Sequence, residues 1–291
     1  VMYGRTDDDK FSHYEAGADH FANFLYTFDE NNNLTGAIIN IPCPSQCSEN
    51  EHLISADYWH DVKVSIRKEY GDIYILPQCA AAGDLSPHIL HYKKAQQRRY
   101  SLKYGDVKID PRVENVGEMY NRKDIAERIC NAFSEVYSWA KKDIITSAPV
   151  RHLVKTIDLK RRIITEEEYS VAVSELKKLE KQEFVTDGTP EENLKANSML
   201  AAQRNRHKRI IDRYMAQKSN PTVPMELHVV RIGDISFASN RFELFMDFQH
   251  RIQARSPFVQ TFIIQLAGQP GEDGGTYLAT ERGAWGKGYG A

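Results

Sequence analysis

Apolar positions along this chain fall into short unbroken runs near both ends, with helically spaced stripes between them. Phe21 to Phe28 and Leu34 to Ile41 are two strand-like runs around the turn cluster Glu30-Asn-Asn-Asn33, which predicts a hairpin. The second run is apolar on both faces, as a central strand is, and it ends at Pro42-Cys43-Pro44, where the chain must leave a sheet. Ser55-Ala-Asp57 is a helix start, and Trp59, Val62, Ile66 and Tyr70 give the following helix an apolar stripe. Gly71-Asp72 closes it, and Ile73 to Leu76 reads as the next strand. Strand, helix and strand in that order predict a right-handed parallel crossover. The carboxyl ends of the two strands, at Cys43 and at Gly83 to Ser86, then share one sheet edge.

The middle of the chain reads as helix. Asn121 to Ile144 carries Ile125, Ile129, Phe133, Val136 and Trp139 or Ala140 on one face. Residues 150 to 164 read as extended, and residues 89 to 120 give no clear pattern. Thr165 with Glu168 is a capping-box pattern for a helix to about Gln182. Asp187-Gly-Thr-Pro190 breaks the chain before a long charged helix to Lys218, so 165–218 is expected as a helical insertion on one domain spanning 1–291. Leu227 to Ile232 and Ile235 to Ser239 predict a second hairpin, and Phe258 to Leu266 a buried strand. Asn240 reads as the cap of a helix containing Phe242, Leu244, Phe245, Phe248 and Ile252, with Glu243 as its capping-box partner. Together these predict an α/β or α+β fold, a mixed sheet covered by helices.

The net charge of −2 gives no global case for nucleic acid. Arg204, Arg206, His207, Lys208, Arg209 and Arg213 wrap around their helix with no aromatic platform, the pattern of a solvated face. No apolar run is long enough for a transmembrane helix. Four cysteines are too few for a disulfide scaffold in 291 residues.

Gln78 to His88 holds the main candidate chemistry. Small residues after a strand lead to Gly83-Asp84-Leu85-Ser86-Pro87, where Pro87 biases Ser86 towards an extended conformation. This is a serine on an irregular turn at a strand end, where open α/β sheets build sites, or an ordinary polar turn. His88 lies two residues from Ser86, too close in sequence for ordinary triad geometry.

Several segments, in order, resemble the neutral/alkaline (non-lysosomal) ceramidases, zinc-dependent amidases acting on N-acylsphingosines. Cys79 to His88 resembles that family's G-D-V/I-S-P-N turn after a strand and small residues, and Leu53 to Asp57 its I-S-x-D-N segment. Ile41 to Ser45 stands where the family has V-H-P/C-T-S, and Asn240 to Glu243 is similar to P-A-E-F. Tyr277 to Glu281 resembles Y-V/I-T-T-P-E, Tyr289 follows at the spacing of a second site tyrosine, and Gly4-Arg5-Thr6 resembles N-R-S. The resemblance implies Ser86 as nucleophile or substrate-positioning group, Gly83 and Asp84 at the substrate, and Tyr289 and Arg5 polarising the amide oxygen. It implies a Zn²⁺ ion on Glu243, Tyr277 and Cys43, the last standing where the family has a histidine. The family's other zinc histidine belongs to an H-x-H-S-G segment that would precede Val1, so the chain is expected to be truncated at its N-terminus. A small lipid or amide substrate, an association with membrane surfaces and an extracellular or periplasmic location are implied likewise. Two other readings stand: a ceramidase-fold protein that binds without catalysing, and a serine esterase using Ser86.

Overall fold

A computed structural model describes residues 6, 9, 11, 13–14, 17–51, 53–106, 108, 115–268 and 276–286. The chain divides into two compact units, Val1–Lys155 with Glu226–Ala291, and Thr156–Met225.

In the first unit, β1 (Asn23–Phe28) and β2 (Leu34–Ile41) form the antiparallel hairpin that the apolar runs predict. Its turn is held by Asp29, whose Oδ1 accepts from the backbone N–H groups of Asn31 and Asn33. Asn32 takes a positive φ of 60°, a conformation that Asn tolerates better than most residues. Helix α1 (Tyr58–Tyr70) follows, and β3 (Tyr74–Cys79) lies parallel to β2, with Ile41 opposite Cys79. Asp57 starts α1: Oδ1 accepts from Tyr58 N, while Oδ2 accepts from Ser48 N and so ties down the loop after β2. Tyr58, Trp59, Val62 and Ile66 are buried on α1, and with Ile39, Ile75 and Phe133 they form the main apolar core. Phe133 comes from α3 (Val116–Ala140), which starts before the predicted Asn121 because Asn115 caps it, accepting from Gly117 N and Glu118 N. Before it, α2 (Lys93–Tyr104) buries only Tyr100 and Tyr104.

A second sheet has the order β4 (Val150–Lys160), β5 (Thr222–Ile232), β6 (Ile235–Ser239), β8 (Gln260–Ile264). β6 is antiparallel to β5 and parallel to β8, so this sheet is mixed, like the first. Buried Asn40 joins the two sheets, donating from Nδ2 to Ile263 O at 2.8 Å. Gln265 N donates to Cys79 O at 3.2 Å, so the carboxyl ends of β2, β3 and β8 lie at one edge.

Between β6 and β8 the structure departs from expectation. Glu243–Leu244 is β7, paired in parallel with β9 (Tyr277–Leu278), and the helix begins afterwards as α6 (Met246–Arg255). Asn240 caps no helix; its Oδ1 accepts from Phe242 N in a tight turn. The Glu243 N–H, which a helix would leave for a capping box, instead donates to Thr276 O. A short helix, α7 (Glu281–Trp285), follows β9, and Arg282 pairs with both carboxylate oxygens of Asp247 on α6 at 2.7 Å.

The second unit contains two helices, α4 (Glu166–Glu180) and α5 (Pro190–Ala216), each started by a complete capping box, Thr165 with Glu168 and Thr189 with Glu192. Tyr169 stacks on Tyr214 at 4.3 Å between centroids, and Arg204 donates from Nε to Leu179 O. The basic residues of α5 are otherwise largely exposed, as the wrapped charge pattern predicts.

Candidate functional site

The turn after β3 is tied down residue by residue. Ala80 N donates to Ile41 O, Ala81 N to Gln249 Oε1, Ala82 N to Gln265 Oε1, and Gly83 N to Leu244 O at 2.9 Å. The three alanines are buried, so their N–H groups need these acceptors in place of water. Gly83 lies directly on β7: a Cβ there would stand 2.5 Å from Glu243 O and 2.8 Å from its carbonyl carbon. Its φ is not positive, so the requirement for glycine is one of space. Gly83→Ala is therefore expected to lower stability by about 2 kcal/mol, because backbone must move to admit the methyl group. Urea unfolding of the purified variant reads this directly, and a midpoint equal to wild type would remove the tight contact.

Asp84 Oδ1 accepts from Met246 N at 2.8 Å, capping the first turn of α6 from the neighbouring loop. Ser86 Oγ accepts from His88 N at 3.1 Å, a local turn bond. The His88 ring faces Gln46 O at 3.2 Å and the Glu49 carboxylate at 3.5 Å through Nε2. Ser86 and His88 thus meet through main chain, which is no nucleophile–base pair.

At the end of β2, the Cys43 carbonyl accepts from Tyr58 Oη at 2.6 Å and from Cys79 Sγ at 3.7 Å. The Cys43 side chain packs against the main apolar core, its sulfur directed to Pro44 O at 3.8 Å. Burial pushes the Cys43 thiol up to about 12, with the neighbouring Cys79 sulfur adding to it. Burial likewise pushes Cys79 up to about 11, although Gln265 Nε2 donates to its sulfur at 3.3 Å; the Glu243 carboxylate adds an upward push. Both therefore stay protonated at neutral pH, and only the thiolate is a good nucleophile. Iodoacetamide at pH 8 is expected to label both at least tenfold more slowly in the native protein than in the unfolded chain. Peptide mass spectrometry measures this, and labelling at the unfolded rate would contradict the burial.

Glu243 and Tyr277 pair in register on β7 and β9, so their side chains share one face of that ladder, beside Gly83. Arg5 and Tyr289 lie outside the described residues.

Two glutamines outside the sequence candidates help to assemble the site. Gln265 closes the apolar run of β8 and is buried; its Oε1 accepts from Ala82 N and Leu244 N, and its Nε2 reaches Cys79. Gln249 is fully buried on α6, accepting from Ala81 N and donating to Asp19 Oδ2 at 2.7 Å. A polar residue on the apolar face of Phe245, Phe248 and Ile252 was the available signal for Gln249.

The zinc expectation requires Cys43, Glu243 and Tyr277 as donors. Among the described residues no group of three or more His, Cys, Asp and Glu side chains is placed to hold a metal ion. Cys43 is partly buried and packs against the main core, while Glu243 and Tyr277 pair on β7 and β9.

Mixed sheets flanked by helices, with strand ends gathered at one edge, define an α/β fold. That fold is shared with solved ceramidases. The crystal structure of neutral ceramidase from Pseudomonas aeruginosa matches with a TM-score of 0.54 at 17% identity, over 97% of this chain and 44% of that one. A ceramidase solved in complex with C2 matches with a TM-score of 0.56 at 15% identity, over 97% of this chain and 46% of that one. The chain thus spans less than half the length of these structures, and the expected ceramidase-like fold is present. No protein-family model matches the chain, and no curated protein does. Among the described residues no helix is long and apolar enough to cross a membrane.

Proposed function

We propose that this chain belongs to an amide hydrolase acting on an N-acylsphingosine or a related N-acyl lipid. The observation that carries this is the in-register Glu243–Tyr277 pair set against the Gly83 turn, at the edge where β2, β3 and β8 end. Crevices outside the carboxyl ends of strands are where such sheets take ligands. In this reading the Glu243 carboxylate takes a proton from the attacking water. The Tyr277 hydroxyl donates to the amide oxygen as negative charge develops there, and Ser86 positions the substrate. The carbon–nitrogen bond then breaks and the leaving amine takes up the proton. Leu53, Ile54, Ile89 and Leu266, in the loops after β2, β3 and β8, are exposed apolar side chains of the kind an acyl chain or a lipid surface would cover.

A second reading, a ceramidase-fold protein that binds the lipid without cleaving it, is favoured by the packing of the partly buried Cys43 against the main core. Full-length protein incubated with a short-chain N-acylsphingosine, with and without chelator, separates the two. Fatty acid release supports the hydrolase, and the chelator arm reports whether a metal takes part. Saturable binding without release supports the second reading and rules out the first.

A further inference from the structure

Away from the sheet edge, β4 and β5 carry two imidazoles whose nitrogens face each other. His152 Nε2 stands 3.0 Å from His228 Nδ1, with the ring planes 18° apart and the centroids 5.2 Å apart. The second nitrogen of His228 is committed elsewhere: Nε2 lies 2.9 Å from Glu226 Oε1. Glu226 and His228 are two residues apart on β5, hence on the same face. A carboxylate can only accept here, so His228 donates through Nε2–H and presents the Nδ1 lone pair to His152. One proton in the gap then serves two basic nitrogens.

We infer that His152 and His228 form a surface site for a borderline divalent transition ion of the Zn²⁺ or Cu²⁺ class, oriented by Glu226. Zinc–nitrogen bonds of about 2.0–2.1 Å at a tetrahedral angle place two ligand nitrogens about 3.3 Å apart, a few tenths of an ångström wider than the present gap. Both rings can make that adjustment, since His152 is exposed and His228 is only partly buried. A metal-binding imidazole whose other N–H is held by a carboxylate is the arrangement that fixes its tautomer and raises its basicity. Imidazole donors suit zinc and copper, while magnesium and calcium favour oxygen ligands. Solvent completes the coordination, because no third His, Cys, Asp or Glu joins the pair among the described residues. The site is independent of the amide hydrolase reading.

The test is calorimetric titration of the untagged full-length protein with zinc chloride, and separately with copper(II) chloride. A saturable site is expected that weakens at least tenfold, or disappears, in both His152→Ala and His228→Ala. Glu226→Gln should weaken it about 10- to 100-fold, the usual effect of losing such an orienting partner. Far-UV circular dichroism checks that each variant is folded, and His152→Gln gives a polar replacement for the exposed strand position. Wild-type protein without saturable binding overturns the site, as does binding that both histidine variants retain. A Glu226→Gln isotherm equal to wild type overturns the orienting role.

Discussion

Glu243→Gln is expected to lower kcat/KM for an N-acylsphingosine at least a hundredfold while leaving the urea unfolding midpoint where it is. A positioned general base contributes about 10²- to 10⁴-fold, and an amide of the same shape cannot take the proton. Stability should survive because the backbone of Glu243, rather than its side chain, supports the fold here. Its N–H donates to Thr276 O, and its carbonyl forms the surface on which Gly83 lies. A parallel fall in activity and stability would show that Glu243 acts through the fold. Unchanged activity would remove it from the chemistry. Both are read from initial rates at several substrate concentrations, alongside urea unfolding of the same preparations.

Gln265→Leu carries the largest expected effect on stability, about 4 kcal/mol. The side chain is close in volume, so the cost is polar. The Ala82 and Leu244 N–H groups lose their shared acceptor, and each unpaired buried donor costs about 1–3 kcal/mol. The Cys79 thiol loses its donor as well. Because Gln265 joins the ends of β3 and β8 to β7, activity should fall along with stability. Gln265→Glu separates shape from donor count: it restores an acceptor but cannot donate to the Cys79 sulfur. Partial recovery is expected in chemical denaturation, and a Gln265→Leu midpoint equal to wild type would contradict the network.

Much of this fold was legible in the sequence because its signals are local. The Asn-rich turn set the first hairpin, Asp57 and the stripe of α1 set the crossover, the Thr165 capping box marked the start of α4, and the break at Asp187 to Pro190 marked that of α5. The α2 segment was illegible for a physical reason: Lys93 to Tyr104 buries two tyrosines and otherwise faces solvent, so it has little apolar periodicity. The site was half legible. The small-residue turn could be recognised from its composition. That Glu243 lies on a strand could not, because Asn240 and Glu243 stand at capping-box spacing and only pairing with Tyr277, far along the chain, overrides it. Asp84 posed the same difficulty. Its partner, Met246 N, is distant in sequence, and it reads locally as a turn residue. Gln265 and Gln249 are polar residues in apolar surroundings, and the backbone N–H groups and distant side chains they bind leave no local mark of those partners in a sequence.

The most direct test is fatty acid release from a short-chain N-acylsphingosine by full-length protein, set beside Glu243→Gln and Ser86→Ala. The predicted result is turnover by wild type, near-complete loss in Glu243→Gln, and a raised KM with kcat less affected in Ser86→Ala. Absence of turnover by wild type, or turnover that Glu243→Gln leaves intact, would contradict the account.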